Sequence, residues 1–206
     1  MTLARHIFDF RLRREKLERL TLDALAMKSS HPERAEAMIK CVIIEAQDSW
    51  SLACRQIVLT SASGRAISRK GQTIARSSSA TGGISAIDYL RLNWATKKMG
   101  NNWEPDWFIP ANAIRAASIL GVSNTPQITS GLGAAIVHDY LRAARNVVAH
   151  SLPNTWAKLR AIEASISVGT FLAPTEFVTV INPRTGKRFI FVWLEELEIC
   201  LQWAAD

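Results

Sequence analysis

The segment Arg145-Asn146-Val147-Val148-Ala149-His150 carries the side chains of this chain best suited to chemistry. An imidazole titrates at about 6.5 and can take or give a proton near neutral pH, and a guanidinium holds phosphate oxygens in a fixed fork as charge builds on them. On a helix Asn146 and His150, four residues apart, share a face. Arg145 lies to one side, with a side chain long enough to reach round, and Arg142 extends the polar strip by one turn. Such a set suits phosphodiester chemistry on RNA. The 2′-hydroxyl of the substrate serves as internal nucleophile, Arg145 steadies the phosphate, Asn146 orients the imidazole or a phosphate oxygen, and His150 moves protons. Taken alone, Arg-x4-His is common, because a helix-end His and an exposed Arg arise for structural reasons.

Other familiar arrangements are missing. Gly186-Lys187 lacks the upstream glycine and the following Ser or Thr of a phosphate-binding loop, and no GxGxxG opens a helix after a strand. His138 and His150 are too far apart for the i,i+4 pair that a helical zinc site uses. Cys41, Cys54 and Cys200 form no CxxC pair and sit in apolar helical patterns, as buried reduced thiols do. No metal and no cofactor is therefore expected.

At 206 residues, 48% of them hydrophobic and 21% charged, the chain suits a single folded domain spanning residues 1–206. Arg5, Asp9, Arg11 and Arg13 interrupt any apolar leader, and no apolar run is long enough to cross a bilayer. A cytoplasmic, reducing location with no membrane contact is expected. The formal net charge of +7 favours a polyanionic partner. No acidic residue falls between Asp48 and Asp88, where Arg55, Arg65, Arg69, Lys70 and Arg76 lie, nor between Arg142 and Arg160. Basic groups without neighbouring carboxylates displace counterions from a phosphate backbone, so Arg65, Arg69, Lys70 and Arg142 are candidate RNA contacts, although a solvated face explains the first stretch equally well.

The elements that must position these groups are mostly helices. Apolar residues Leu3, Ile7, Phe10, Leu17, Leu20, Ala24 and Met27 recur at helical spacing over residues 3–28, and Pro32 restarts a second helix over about 33–59. Residues 61–83, rich in Ser, Gly and basic side chains and including Thr81-Gly82-Gly83, read as a flexible basic loop. Helical pattern resumes over 84–99 and stops at Gly100-Asn101-Asn102; Trp103, Trp107 and Phe108 form an apolar plug, and a short helix over 111–120 ends at Gly121. The key helix is expected over 131–150, with Val137, Tyr140, Leu141, Ala144, Val147 and Val148 inward, and Pro153 ends or bends it just after His150. A further helix reaches about residue 167. The β-rich runs Phe177–Ile181 and Arg188–Val192, joined by Asn182-Pro183-Arg184-Thr185-Gly186-Lys187, predict a hairpin over 177–192, and a helix over 194–203 closes the chain.

In that setting the run from Leu141 to His150 resembles the signature of the HEPN superfamily: an Arg, a polar residue often Asn, and a His four to six positions after the Arg. The specific similarity covers about residues 132–151; the rest is similar only as a helical bundle led by two long antiparallel helices. The resemblance implies a mainly α, HEPN-like bundle with a small C-terminal hairpin and terminal helix. It implies a metal-independent endoribonuclease, often a toxin or antiviral defence effector with an antitoxin or defence-system partner. It also implies a homodimer in which two motif helices build one cleft, with Arg145, Asn146 and His150 as catalytic residues. In some relatives an acidic or polar residue of the second helix assists, which points to Glu45 and Asp48. Some relatives only bind RNA or a protein partner, and an unrelated helical interaction protein in which Arg145 and His150 are structural is a third reading of the same residues.

Overall fold

The computed structural model of the chain describes residues 1–76, 84–94, 103–166 and 173–206. The expected turn at Thr81-Gly82-Gly83, the end of the helix near Met99 and its stop at Gly100-Asn101-Asn102 lie outside the described residues. Among the described residues the fold is mainly helical: α1 (Ala4–Ala26), α2 (Pro32–Ser61), α3 (Ala86–Asn93), α4 (Pro110–Leu120), α5 (Thr125–Gly133), α6 (Val137–His150), α7 (Pro153–Ser165), α8 (Pro174–Thr179) and α9 (Phe189–Ala204). One two-stranded antiparallel ribbon, β1 (Ala66–Ile67) with β2 (Thr73–Ile74), completes the set. No described helix is long and apolar enough to cross a membrane.

Helical spacing accounts for the two long helices. Ile7, Phe10, Leu17 and Ala24 of α1 are buried, as are Ile39, Val42, Ile43, Ala46, Trp50, Ala53, Cys54, Ile57 and Val58 of α2. Between them the backbone N–H groups of Ser30 and His31 donate to the Met27 carbonyl, closing the first helix before Pro32 opens the second. Contacts group the chain into two compact units. One takes Met1–Arg11, Trp50–Ala135 and Glu198–Asp206; the other takes Leu12–Ser49 and Ile136–Leu197. The start of α1 thus falls with the end of α2, as an antiparallel helix pair requires.

In the first unit a bidentate ion pair holds the Trp-rich segment. Arg55 Nε and Nη2 donate to Glu104 at 2.6 and 2.9 Å, and Trp107 Nε1 donates to the same carboxylate at 2.9 Å. Hydrogen bonding from Arg55 holds the Glu104 carboxyl below its ordinary range. Trp107 is buried as the plug reading expects, whereas Trp103 and Phe108 are only partly so. Burial likewise pushes the Cys54 thiol well above its usual range. Cys54 and Cys200 are buried free thiols, but Cys41 is exposed, because it faces away from the apolar stripe of α2.

Within the stretch expected to be a loop, the ribbon forms because Ser68 Oγ accepts the N–H groups of Lys70 and Gln72 and Gly71 takes φ +84°, which turns the chain so that Ala66 pairs with Ile74 and Ile67 with Thr73. The C-terminal hairpin expected over 177–192 is not there. Residues 174–179 are helix α8, only Ile181 and Arg188 bridge, and α9 begins at Phe189 rather than at 194. The turn itself is present, with the Asn182 N–H donating to the Lys187 carbonyl at 2.7 Å and Gly186 at φ +68°. Burial decides against strands here. Phe189, Ile190, Trp193, Leu194 and Leu197 are all buried at helical spacing, and Phe177, Phe189 and Trp193 stack with centroids 5.4 to 5.9 Å apart.

His6 gives the first unit a measurable acid sensitivity. Its Nε2 meets Thr60 Oγ1 at 2.8 Å, its Nδ1 is buried without a partner, and burial lowers its pKa from the ordinary value, with Asp9 opposing. The unfolded chain then binds the proton more readily than the folded one. Stability contributed by the neutral ring is complete above the unfolded value of about 6.5 and falls as pH drops toward the folded one. Urea melts at pH 7.5 and 5.5 are expected to show a smaller acid loss for His6→Gln than for the parent; an unchanged difference refutes this assignment.

Candidate functional site

α6 presents its apolar side inward through Val137, Leu141, Ala143, Ala144 and Val147. Tyr140 and Val148, expected inward, are only partly buried, Tyr140 with its ring edge-on to Trp193 at 5.9 Å. The helix is shorter than the reading over 131–150. α5 ends at Gly133, and α6 starts afresh at Val137, because two glycines within three residues weaken helix propagation. Gly131 is committed inside the chain as well: a Cβ there would lie 2.4 Å from Ala204 N and 2.5 Å from Cys200 O. That close approach seats α5 against α9.

At the other end α6 stops where the sequence places the stop. Leu152 is extended ahead of Pro153, which opens α7, and Ser151 caps α6 in the left-handed conformation at φ 48°, ψ 34°. His150 is therefore the last helical residue and is exposed.

Arg145 Nη1 lies 3.5 Å from His150 Nε2. The long guanidinium arm crosses the angular gap between positions five apart, so both groups meet within one chain. Arginine can only donate, so in a hydrogen bond between the two groups Nε2 is the acceptor. Arg145 is partly buried, with an Nε that has no hydrogen-bond partner, and no carboxylate lies within ion-pair distance of it among the described residues. Arg142 instead pairs with Asp139 at 3.1 Å, and Arg160 with Glu163 at 2.5 Å. The basic stretch is thus partly neutralised by carboxylates just outside its ends, and Arg145 keeps its charge unmatched. Asn146 is partly exposed and makes no hydrogen bond among the described residues, so it stands outside the Arg145–His150 contact.

The remaining sequence candidates sit elsewhere. Glu45 and Asp48 are exposed on α2 and form no hydrogen bond or ion pair with Arg145 or His150. Arg65, Arg69 and Lys70 are exposed and belong to the first unit, whereas Arg145 and His150 belong to the second. Asp206 receives Arg69 Nε at 2.5 Å and Nη2 at 3.0 Å, with Lys70 Nζ 3.3 Å away. The hydrogen bond from Arg69 holds the Asp206 carboxyl below its ordinary range. The stretch that lacks acids in sequence has one in space. His138 Nε2 meets Asp139 Oδ1 at 3.4 Å, and no three His, Cys, Asp or Glu side chains come together as a metal site among the described residues.

Sequence reasoning passes over Ser151, Trp156 and Glu163, and takes Arg160 only as the end of a basic stretch; contacts link the four in a chain that starts next to His150. Trp156 Nε1 donates to Ser151 Oγ at 3.3 Å, and the Arg160 guanidinium lies 5.0 Å from the indole centroid. The available signal is a Trp just beyond Pro153 in a stretch with few apolar neighbours. As assembled, the site offers an exposed imidazole beside an unmatched guanidinium at a helix end. Those are the groups needed to take a proton and to hold an anion at one place. No family model, curated protein or solved structure matches the chain.

Proposed function

We propose that the chain is a metal-independent endoribonuclease of the HEPN type, acting on RNA as a homodimer, in the role of a toxin or antiviral defence effector held in check by a cognate partner. The observation that carries this reading is the 3.5 Å approach of Arg145 Nη1 to His150 Nε2, with His150 exposed and Arg145 free of any carboxylate among the described residues. A phosphodiester bound at Arg145 puts its non-bridging oxygens on the guanidinium and brings the adjacent ribose to the imidazole. His150 Nε2 takes the proton of the 2′-hydroxyl, the oxygen attacks phosphorus, and the bond to the 5′-oxygen breaks. The products are a 2′,3′-cyclic phosphate and a 5′-hydroxyl. The leaving oxygen needs a proton from a second acid. One imidazole cannot readily be base and acid in the same step, so the His150 of a second copy, related by a two-fold axis, is the natural donor.

The test is incubation of purified protein with total RNA and with tRNA in EDTA, followed by end mapping. Cyclic phosphate ends are expected, with DNA and 2′-O-methylated RNA resistant, because both lack the attacking hydroxyl. Activity lost in EDTA and restored by a divalent cation rules out the metal-free route, and full activity from a protein that sediments as a monomer rules out the shared site.

A further inference from the structure

We propose that Trp156 is a nucleobase-stacking platform beside His150, so that the RNA entering the site is unpaired at the nucleotide next to the scissile bond; this rests on the ribonuclease reading. Trp156 lies in the first turn of α7, and its indole N–H donates to Ser151 Oγ at 3.3 Å. Ser151 directly follows His150, one Cα step of about 3.8 Å. It is the one non-glycine residue with positive φ among the described residues, and that left-handed turn puts its hydroxyl where the indole edge can reach it.

The ring is also held from its face. Arg160 Cζ lies 5.0 Å from the indole centroid, and Arg160 Nη1 is anchored at 2.5 Å by Glu163, a carboxylate only 1% exposed. A buried acid therefore fixes the arginine, the arginine and Ser151 fix the indole, and the indole stays partly exposed among the exposed residues Leu152, Asn154, Ala157 and Lys158. A tryptophan held in place by polar groups yet left open to solvent is a preorganised flat surface. Every base has a π-face, so such a surface binds bases with little regard to sequence, and only bases splayed out of a helix can reach it. The remaining Arg160 donors lie beside the ring to meet the backbone that carries the stacked base.

Binding is measured by fluorescence polarisation with a 2′-O-methylated single-stranded RNA oligomer, which cannot be cut, and with an abasic oligomer of equal length. The parent protein is expected to prefer the base-bearing oligomer by about ten- to a hundredfold, Trp156→Ala to lose that preference, and Trp156→Phe to keep most of it. A preference that survives Trp156→Ala, or a parent protein that binds neither oligomer, overturns the platform. Cleavage of unmodified RNA separates the two ideas. Cutting with unchanged discrimination in Trp156→Ala removes the platform and leaves the ribonuclease, whereas a Trp156-dependent preference without cutting keeps the platform and removes the ribonuclease. Thermal melts of each variant confirm that the comparison is between folded proteins.

Discussion

Replacing His150 with Ala is expected to lower RNA cleavage by about a hundred- to ten-thousandfold, the usual worth of a positioned proton-transfer group. The side chain is exposed at the end of α6, so folding stability is expected to change by no more than about 0.5 kcal/mol. Arg145→Ala is expected to cost a similar factor through loss of phosphate stabilisation, and Arg145→Lys to restore little of it, since an ammonium is a point charge and not a planar fork. The Arg145 Nε is already buried without a partner, so removing the guanidinium sacrifices no existing ion pair. Cleavage rates and urea melts on the same samples decide the matter. A drop in stability of about 2 to 5 kcal/mol, the scale of a core truncation, makes these residues structural and counts against the site.

Gly131→Ala is expected to destabilise the protein by about 3 kcal/mol, the upper part of the usual range for overpacking. The added methyl would sit 2.4 Å from Ala204 N, 2.5 Å from Cys200 O and 2.8 Å from Ala204 Cα, all backbone atoms of α9 that cannot rotate away. Gly133→Ala supplies the contrast. Nothing lies within 4 Å of a Cβ there, so relief of backbone entropy should leave stability unchanged or raise it by up to about 1 kcal/mol. A marked loss at Gly131 and none at Gly133, two residues away, is the expected result of denaturant melts. Equal effects refute the close packing of α5 on α9.

Much of the helical frame is legible in the chain itself. The spacing of Ile7, Phe10, Leu17 and Ala24 requires a helix whichever partner covers it, Pro32 and Pro153 mark restarts through their fixed φ, and Gly121 adopts the left-handed turn that ends α4. Arg145 and His150 are legible as a candidate pair from residue type and spacing, but spacing alone does not separate them from a structural Arg and a helix-end His; the resemblance of the surrounding run singles them out. Tertiary structure decides what short-range pattern leaves degenerate. A run such as Arg188–Val192 fits a strand or a fully buried helix equally well, and only the burial of Trp193, Leu194 and Leu197 with it selects α9. Charge shows the same division. The unbroken basic stretches in sequence become pairs in space once Asp206 reaches Arg69, Asp139 reaches Arg142 and Glu163 reaches Arg160, because ion pairs depend on distance and not on order along the chain. The surroundings of Trp156 come from the structure: its tie to Ser151 depends on a left-handed residue whose conformation no local propensity announces.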